Sequence, residues 1–216
     1  MRIASFAAGP ACRDAGVSLQ APCFAWHPAG DPGRPQVEAF IRRVYAERYG
    51  AQVRQFAPVL VSLREGEGSA ASVVAAAGYR IATQPLFLEH YLDEPIERVL
   101  ARQTEQTEQP ARERIAEVGH LAATRAGEGQ RLILRLAQHL AGLRVEWVVS
   151  TLTEELRHLF TRMGVVPTAL GPADPARLGD GARDWGRYYE HHPVVLAGSL
   201  PLAMRRLAER LPAGER

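Results

Sequence analysis

Residues 115–130 read IAEVGHLAATRAGEGQ and combine three local patterns. Residues 115–123 have the composition of a half-buried strand, Gly127 and Gly129 form a Gly-x-Gly turn, and an amphipathic helix begins near Gln130. Glycines let backbone N–H groups approach a ligand, and a helix N-terminus adds unpaired amides and a positive dipole end. The segment therefore predicts an anion site. The same pattern also fits a tight connection that binds nothing.

The composition is that of a folded domain, and it excludes several kinds of functional site. The chain has 216 residues, of which 46% are hydrophobic, enough for one large domain with a substantial core. All 26 basic residues are arginine, so a Schiff-base or P-loop lysine is excluded and the formal charge is only +2. An anionic substrate would be held by arginine or backbone amides. We expect a cytoplasmic protein with no nucleic-acid partner and no metal, because basic blocks, signal or membrane segments and clustered metal ligands are missing from the sequence.

Strand and helix patterns alternate along the rest of the chain. They predict strands at 21–27, 57–64, 72–82, 144–150 and 194–197, and helices at 35–49, 130–142, 153–163 and 201–211. The polar stretch Gln103 to Gln109 is predicted as a mobile loop, and most of 165–198 as irregular. The last helix is basic and amphipathic, which suits either a membrane surface or docking on the parent domain. We predict an α/β (α+β) fold in which strands alternate with helices along the chain.

The loop of the opening segment resembles that of the GNAT superfamily of N-acetyltransferases. That loop follows [Gln/Arg]-x-x-Gly-x-[Gly/Ala], and Thr124-Arg125-Ala126-Gly127-Glu128-Gly129 fits it except at the first position. The order of elements is also that of the superfamily, and a later helix places Phe160 where a tyrosine acid usually stands. The resemblance implies a mixed sheet with an extra C-terminal helix, and a bound acyl-CoA or phosphopantetheine thioester rather than a tightly held cofactor. The residues that it implies for donor binding are Val118, Gly119, Thr124, Arg125, Gly127, Gly129 and Gln130.

Five blocks carry a closer resemblance, and they cover most of residues 37–198. The blocks are VYAERYGA (44–51), FAP (56–58), LFLEHYLDEPIE (86–97), EVGHLA (117–122) and WGRYY (185–189). They resemble a bacterial family known as thermostable hemolysin, in which we would expect Asn at the position of His120. That family is similar in layout to the acyl-homoserine-lactone (autoinducer) synthases, which take acyl groups from acyl carrier protein or CoA. The predicted domain spans 21–198, between an N-terminal extension (1–20) and a C-terminal helix and tail (199–216).

Glu117 and His120 are the candidate catalytic residues. A carboxylate on the central strand, beside the implied acyl site, can accept the amine proton as a general base. The alternative is a strand carboxylate paired with Arg114 or Arg80. Because His120 lies an odd number of positions from Glu117, a regular strand would point the two side chains to opposite faces. A bulge would bring them together, and without one His120 is better interpreted as a core histidine.

Acidic and aromatic side chains supply the candidate substrate contacts. Glu89 and Asp93, with Tyr91 between them, follow an apolar run and suit a substrate amine, although helix capping explains them equally well. Trp185 and Tyr188 suit an acyl chain or an adenosyl-like ring, although aromatic residues at this spacing are also typical of plain packing.

The combined hypothesis is an N-acyltransferase. It would move an acyl group from CoA or acyl carrier protein to a small amine, such as an amino acid or S-adenosylmethionine. Two alternatives stay open. One is a membrane-active or lipid-binding hemolysin-type protein, and the other is an acyltransferase fold without catalytic activity.

Overall fold

The computed structural model describes residues 22–66, 71–103, 108–125 and 127–210. The strands are β1 (Cys23–His27), β2 (Val59–Glu65), β3 (Ser72–Ile81), β4 (Ile115–Ala123), β5 (Trp147–Leu152), β6 (Thr168–Pro172) and β7 (Val194–Ser199). The helices are α1 (Arg34–Tyr49), α2 (Ile96–Gln103), α3 (Glu128–Gly142), α4 (Glu154–Arg162) and α5 (Leu200–Arg210). Short 3₁₀ segments lie at Phe87–Tyr91, Arg112–Arg114, Pro175–Trp185 and Tyr188–His191.

The strands form one mixed sheet in the order β1-β2-β3-β4-β5-β7-β6. Every neighbouring pair is antiparallel except β4 and β5, which are parallel. Successive residues of β2, such as Leu60 and Val61, belong to two different cores, because successive side chains of a strand point to opposite faces. Helix α1 covers one face, and α3 covers the other with α5 beside it. The predicted mixed sheet flanked by helices is therefore confirmed.

Strands β4 and β5 separate halfway along their length. Their pairing runs from Ile115 opposite Trp147 to Glu117 opposite Val149, and ends there. Both strands continue further, β4 to Ala123 and β5 to Leu152. Beyond Glu117 the N–H and C=O groups of β4 that point away from β3 therefore have no partner on β5. The separation opens a gap in the middle of the sheet.

The segment between β6 and β7 is attached to the end of α1. The N–H of Gln52 donates to Asp184 O at 2.6 Å, and the N–H of Arg187 donates to Tyr49 O at 2.8 Å. Gly186, which precedes Arg187, has φ 52° and ψ −124°. These bonds fix the segment as a wall over the gap between β4 and β5.

Several local predictions need correction. Helix α3 begins at Glu128, so Gly129 lies in its first turn rather than in the loop. Strand β6 was predicted as irregular chain. Thr153 stands at the N-cap of α4 as predicted, but its hydroxyl makes no capping hydrogen bond.

Two predicted features lie largely outside the described residues, namely the N-terminal extension (1–20) and the centre of the loop at 103–109. The proposed division of the chain into extension, domain and C-terminal helix stays a prediction.

Candidate active site

A cleft of about 250 Å³ lies where β4 and β5 separate. Its floor is formed by residues of β4 from Glu117 to Leu121, with Arg80 on β3 and Thr151 on β5. Its walls come from α1, from the Phe87–Tyr91 segment and from the wall segment that contains Trp185. The cleft therefore brings together residues from distant parts of the chain, at the point where β4 has free backbone groups.

Glu117 is held at the cleft by two backbone amides and one arginine. Its Oε2 accepts from the N–H of Phe87 at 2.9 Å, and its Oε1 accepts from the N–H of Leu88 at 2.8 Å. The Nε of Arg80 lies 3.6 Å from Oε2. Burial raises the pKa of Glu117, although these N–H groups and Arg80 act in the opposite direction. Of the two predicted ion-pair partners, Arg80 is present, whereas Arg114 pairs with Glu146.

His120 sits on a β-bulge. Between Ala76 and Gly78 of β3 the opposing residues of β4 run from Ala122 to Gly119, so β4 contains one extra residue. His120 has φ 54°, which a non-glycine residue adopts only under constraint. Because of the bulge, the odd spacing no longer points the two side chains to opposite faces, and both His120 and Glu117 line the cleft.

The hydrogen bonds of His120 define its tautomer. Its Nε2 lies 3.2 Å from Gln55 O, and a carbonyl can only accept, so Nε2 carries the proton. Its Nδ1 is buried and has no hydrogen-bond partner among the described residues. Burial lowers the pKa of His120 to about 4, so the ring is neutral near pH 7. Nδ1 therefore has a free lone pair.

Gly78→Ala tests how tightly the ring of His120 is packed. A Cβ at Gly78 would lie 2.8 Å from the Cβ of Ala57 and 3.2 Å from Nδ1 of His120. We expect the variant to lose about 1–3 kcal/mol of unfolding free energy in urea, as overpacked sites do. Gly119→Ala is the stability control, because a Cβ at Gly119, the cross-strand partner of Gly78, meets nothing within 4 Å. Equal losses in both variants would contradict this packing.

Three of the predicted substrate residues line the cleft. They are Tyr91, Trp185 and Tyr188. The rings of Trp185 and Tyr188 are 5.4 Å apart, and the hydroxyl of Tyr188 donates to Thr151 O at 3.1 Å. Burial raises the pKa of Tyr188 well above its usual value, so the hydroxyl stays protonated. The hydroxyls of Tyr91 and Tyr189 are 2.6 Å apart. The cleft therefore has an aromatic wall with a phenolic donor close to β5.

The two predicted carboxylates, Glu89 and Asp93, do not line this cleft. Glu89 accepts from the N–H groups of Leu86 and Ile96 and pairs with Arg112 at 2.8 Å. Burial raises its pKa, but Arg112 and the two amides together leave it lowered. Asp93 pairs with Arg177 at the surface. The capping alternative thus describes Glu89, and neither carboxylate is placed to meet a ligand in the cleft.

The glycine turn lies beyond the end of β4, outside the cleft. Thr124 donates to Val74 O through its N–H at 3.2 Å, and Arg125 pairs with Glu65 at 2.7 Å. Gly127 has φ 89° and precedes α3, whose first amides have no acceptor within the helix. The backbone of Gly129 and Gln130 therefore belongs to a helix N-terminus, as an anion site requires.

A buried carboxylate shares this helix N-terminus. The side chain of Glu128 is 9% exposed, and its Oε1 lies 3.2 Å from Nη1 of Arg131. Its Oε2 has no hydrogen-bond partner among the described residues. The dipole stabilises this charge, which in turn weakens the positive field available to a phosphate. Nothing in the Gly-x-Gly pattern indicated the direction of this side chain.

A second cavity lies behind β4 and was not predicted from the sequence. Val118 and Leu121 line both it and the cleft. Its other walls come from β5, β7, α3, α4 and α5, and Ser150 is the one polar side chain among the residues that line it. Phe160, in the place of the usual tyrosine acid, lines this apolar cavity and not the cleft. The apolar stripes of α3 and α5 were the available signal, but each reads equally well as ordinary core.

A Ser-His-Asp chain elsewhere in the fold has a structural role. His27 lies 2.8 Å from Asp31 through Nδ1 and 2.9 Å from Ser62 through Nε2. Ser62 is completely buried, so its hydroxyl cannot meet a substrate. These bonds connect β1, the following turn and β2.

Neither a metal site nor a membrane span emerges from the described ranges. Within them, no three His, Cys, Asp or Glu side chains come together as metal ligands would. None of their helices has the length and apolar character needed to cross a bilayer.

The fold matches that of several solved acyl-transfer enzymes. FeeM, an N-acyl amino acid synthase from uncultured soil microbes, gives a TM-score of 0.59 at 12% identity, over 88% of this chain and 98% of FeeM. The AHL synthase LasI gives 0.57 at 14% identity, over 90% and 100%. BjaI, a CoA-dependent acyl-homoserine lactone synthase solved with SAM and isopentyl-CoA, gives 0.55 at 15% identity, over 88% and 90%. The chain therefore has the GNAT-type N-acetyltransferase fold shared by these structures.

The family follows from the sequence itself. Residues 27–204 match the family described as thermostable hemolysin, and the chain belongs to that family. No curated protein matches the chain. The suspected family and fold are both confirmed.

Proposed function

We propose that the protein is an N-acyltransferase that moves an acyl group from a CoA or acyl-carrier-protein thioester to a small amine. One observation carries the proposal, namely that a cleft with polar side chains and an apolar cavity adjoin at the gap between β4 and β5. Val118 and Leu121 form the boundary between the two. The cavity suits an acyl chain, because burying apolar surface is favourable, and the cleft suits the amine.

The thioester would lie across the gap with its carbonyl against β4. The N–H groups of β4 beyond Glu117 that point away from β3 have no partner on β5. Such preorganised donors stabilise the oxyanion that forms when an amine attacks a carbonyl. The C–N bond forms as the carbonyl π pair moves to the oxygen. When that oxyanion collapses, the C–S bond breaks and its electron pair leaves on the thiolate.

Proton transfer is assigned to side chains of the cleft. Glu117 accepts the proton of the attacking amine, and the ring of neutral His120 lines the cleft beside it. Because Phe160 faces the apolar cavity, the hydroxyl that the cleft offers to the departing thiolate is that of Tyr188. This hydroxyl is protonated, and it would donate its one hydrogen to the sulfur by turning away from Thr151 O.

The acceptor class follows from the charges beside Glu117. Arg80 lines the cleft, and its guanidinium suits a carboxylate. The aromatic wall can pack against the rest of an acceptor. An amino acid, or S-adenosylmethionine with its amino-acid end, has the required amine and carboxylate.

The donor would be anchored by the first amides of α3. Thr124 replaces the usual Gln or Arg, and Glu128 adds a negative charge nearby. CoA carries several phosphate charges, whereas phosphopantetheine on a carrier protein has a single phosphodiester. Both donors therefore belong in the test, and a carrier protein is proposed as a partner in a cytoplasmic reaction.

The test is release of free thiol by the purified protein. Acyl-CoA and acyl-carrier-protein donors are combined with amino acids or S-adenosylmethionine. We expect thiol release that depends on the acceptor, and an N-acyl product in equal amount by mass spectrometry. Thiol release that does not depend on the acceptor, or no thiol release with either donor, would contradict the proposal. Lysis or liposome binding by the same preparation would then favour the membrane-active alternative, although Leu200 and Leu207 of α5 line the cavity and Leu200 is buried.

A further inference from the structure

Helix α4 carries one apolar stripe that passes from the cleft into the cavity. Leu156 lines the cleft, whereas Phe160 and Met163 line the cavity. Residues four and then three positions apart lie on one face of a helix, about 6 Å and then 4.5 Å further along its axis. Each residue of the stripe therefore lies at a different distance from the reacting carbonyl. Phe160 stands one turn beyond the cleft.

We propose that Phe160 is a specificity-determining residue that limits the length of the acyl chain. This inference rests on the proposed acyl transfer. A phenyl ring is large and has only two side-chain torsions, so it cannot easily make room for a longer chain. Met163, the next residue of the stripe, has a flexible thioether side chain and adapts more easily to its surroundings. Of the two, Phe160 is therefore the firmer boundary.

The size of the cavity gives an expected chain length. The cavity has a volume of about 90 Å³. That is several times the roughly 10–15 Å³ that a single water needs, so the cavity has room for several methylene groups. The cavity thus suits a medium-length acyl chain and is larger than an acetyl group needs.

Substitutions of opposite size should shift the preferred donor in opposite directions. Phe160→Ala removes the ring, and because such sites relax only partly, we expect the optimum to lengthen by about two to four carbons. Phe160→Trp enlarges the side chain and should shorten the optimum. Leu159→Ala is the matched control, since Leu159 lies on the same helix and lines neither the cleft nor the cavity. It should leave the optimum unchanged.

The experiment reads chain length in two ways. The first is kcat/KM for thiol release with saturated acyl donors of about four to fourteen carbons, a range that covers chains shorter and longer than the medium length that the cavity suits. The second is the rise in Tm produced by free fatty acids of the same lengths, which needs no turnover. Opposite shifts of the optimum in the Ala and Trp variants would support the inference.

The two readouts separate this inference from the proposed function. Thiol release with the same optimum in the wild type and in either Phe160 variant would overturn the inference and leave acyl transfer standing. Shifted fatty-acid binding without thiol release would support Phe160 as the boundary and overturn acyl transfer. If no fatty acid raises the Tm and no donor reacts, both are wrong. Should the Ala variant fail to fold, the predicted shortening in the Trp variant still decides.

Discussion

Glu117→Gln is expected to lower kcat/KM for acyl transfer by about 10²- to 10⁴-fold, the range typical of a lost general base. Glutamine keeps the size of the side chain but cannot accept the amine proton. It also turns one oxygen into an NH₂ group that faces the N–H of Phe87 or Leu88. We therefore expect a loss of about 1–3 kcal/mol in unfolding free energy as well. Thiol release and urea denaturation on the same samples measure both effects.

Glu89→Gln separates the catalytic effect from the structural one. Glu89 also accepts two backbone N–H groups and pairs with an arginine, but it lies outside the cleft. Its variant should lose stability to a similar degree and keep its kcat/KM. Equal losses of activity in the two variants would mean that Glu117 acts only by fixing the Phe87–Tyr91 segment.

The pH dependence gives a second check on Glu117. A general base works only when ionised, and burial raises the pKa of this carboxyl above the usual 4.5. We expect kcat/KM to rise with pH through that raised pKa. The unfolding free energy depends on pH in the opposite direction, because the folded state favours the protonated form of Glu117. The contribution of Glu117 to the unfolding free energy is greatest below its pKa in the unfolded chain. It falls as pH rises through its pKa in the folded protein. Glu117→Gln should remove this fall.

The central segment was predictable because its signals are local. Half-buried alternation and two glycines lie within residues 115–130, the apolar helical stripe of α3 follows directly, and each signal acts on its own neighbours. The separation of β4 from β5 is different in kind. It depends on where the pairing with Trp147–Val149 stops, and nothing in either strand records that point. The cleft and the apolar cavity both arise from that separation, so neither could be located from the sequence.

The bulge at His120 could not be predicted from the sequence. The sequence established only that an odd spacing needs a bulge if Glu117 and His120 are to meet. The ring of His120 also packs closely on Gly78, a residue of β3, where a Cβ would lie 3.2 Å from Nδ1. That contact joins two distant parts of the chain. The residues were identifiable as candidates, whereas their meeting was not.

Glu89 and β6 illustrate two other limits. The same carboxylate can cap a helix or bind an amine, and the choice is made here by Arg112, which approaches from a distant part of the chain. Strand β6 contains Gly171 and ends at Pro172, residues that argue against a strand unless it lies at an edge. It does lie at the edge of the sheet. In both cases the tertiary position outweighs the local signal.

Gly186→Ala is expected to cost about 3–5 kcal/mol of unfolding free energy, because backbone strain and overpacking add. At φ 52° and ψ −124° the residue occupies a region open almost only to glycine. A Cβ there would lie 2.3 Å from Tyr49 O, which is backbone and cannot rotate away. The wall segment would have to leave the end of α1 and give up the bond from Arg187 to Tyr49 O. Urea denaturation measures the loss.

Gly181→Ala is the matched control for the wall segment. Gly181 belongs to the same 3₁₀ stretch and also lines the cleft, but a Cβ there meets nothing within 4 Å. It should unfold close to the wild type. Because Trp185 precedes Gly186 and Tyr188 follows it closely, any Gly186→Ala protein that still folds should also bind acceptor poorly, with a raised KM. Wild-type stability and KM in Gly186→Ala would show that the wall is not held against α1 in the way its hydrogen bonds indicate.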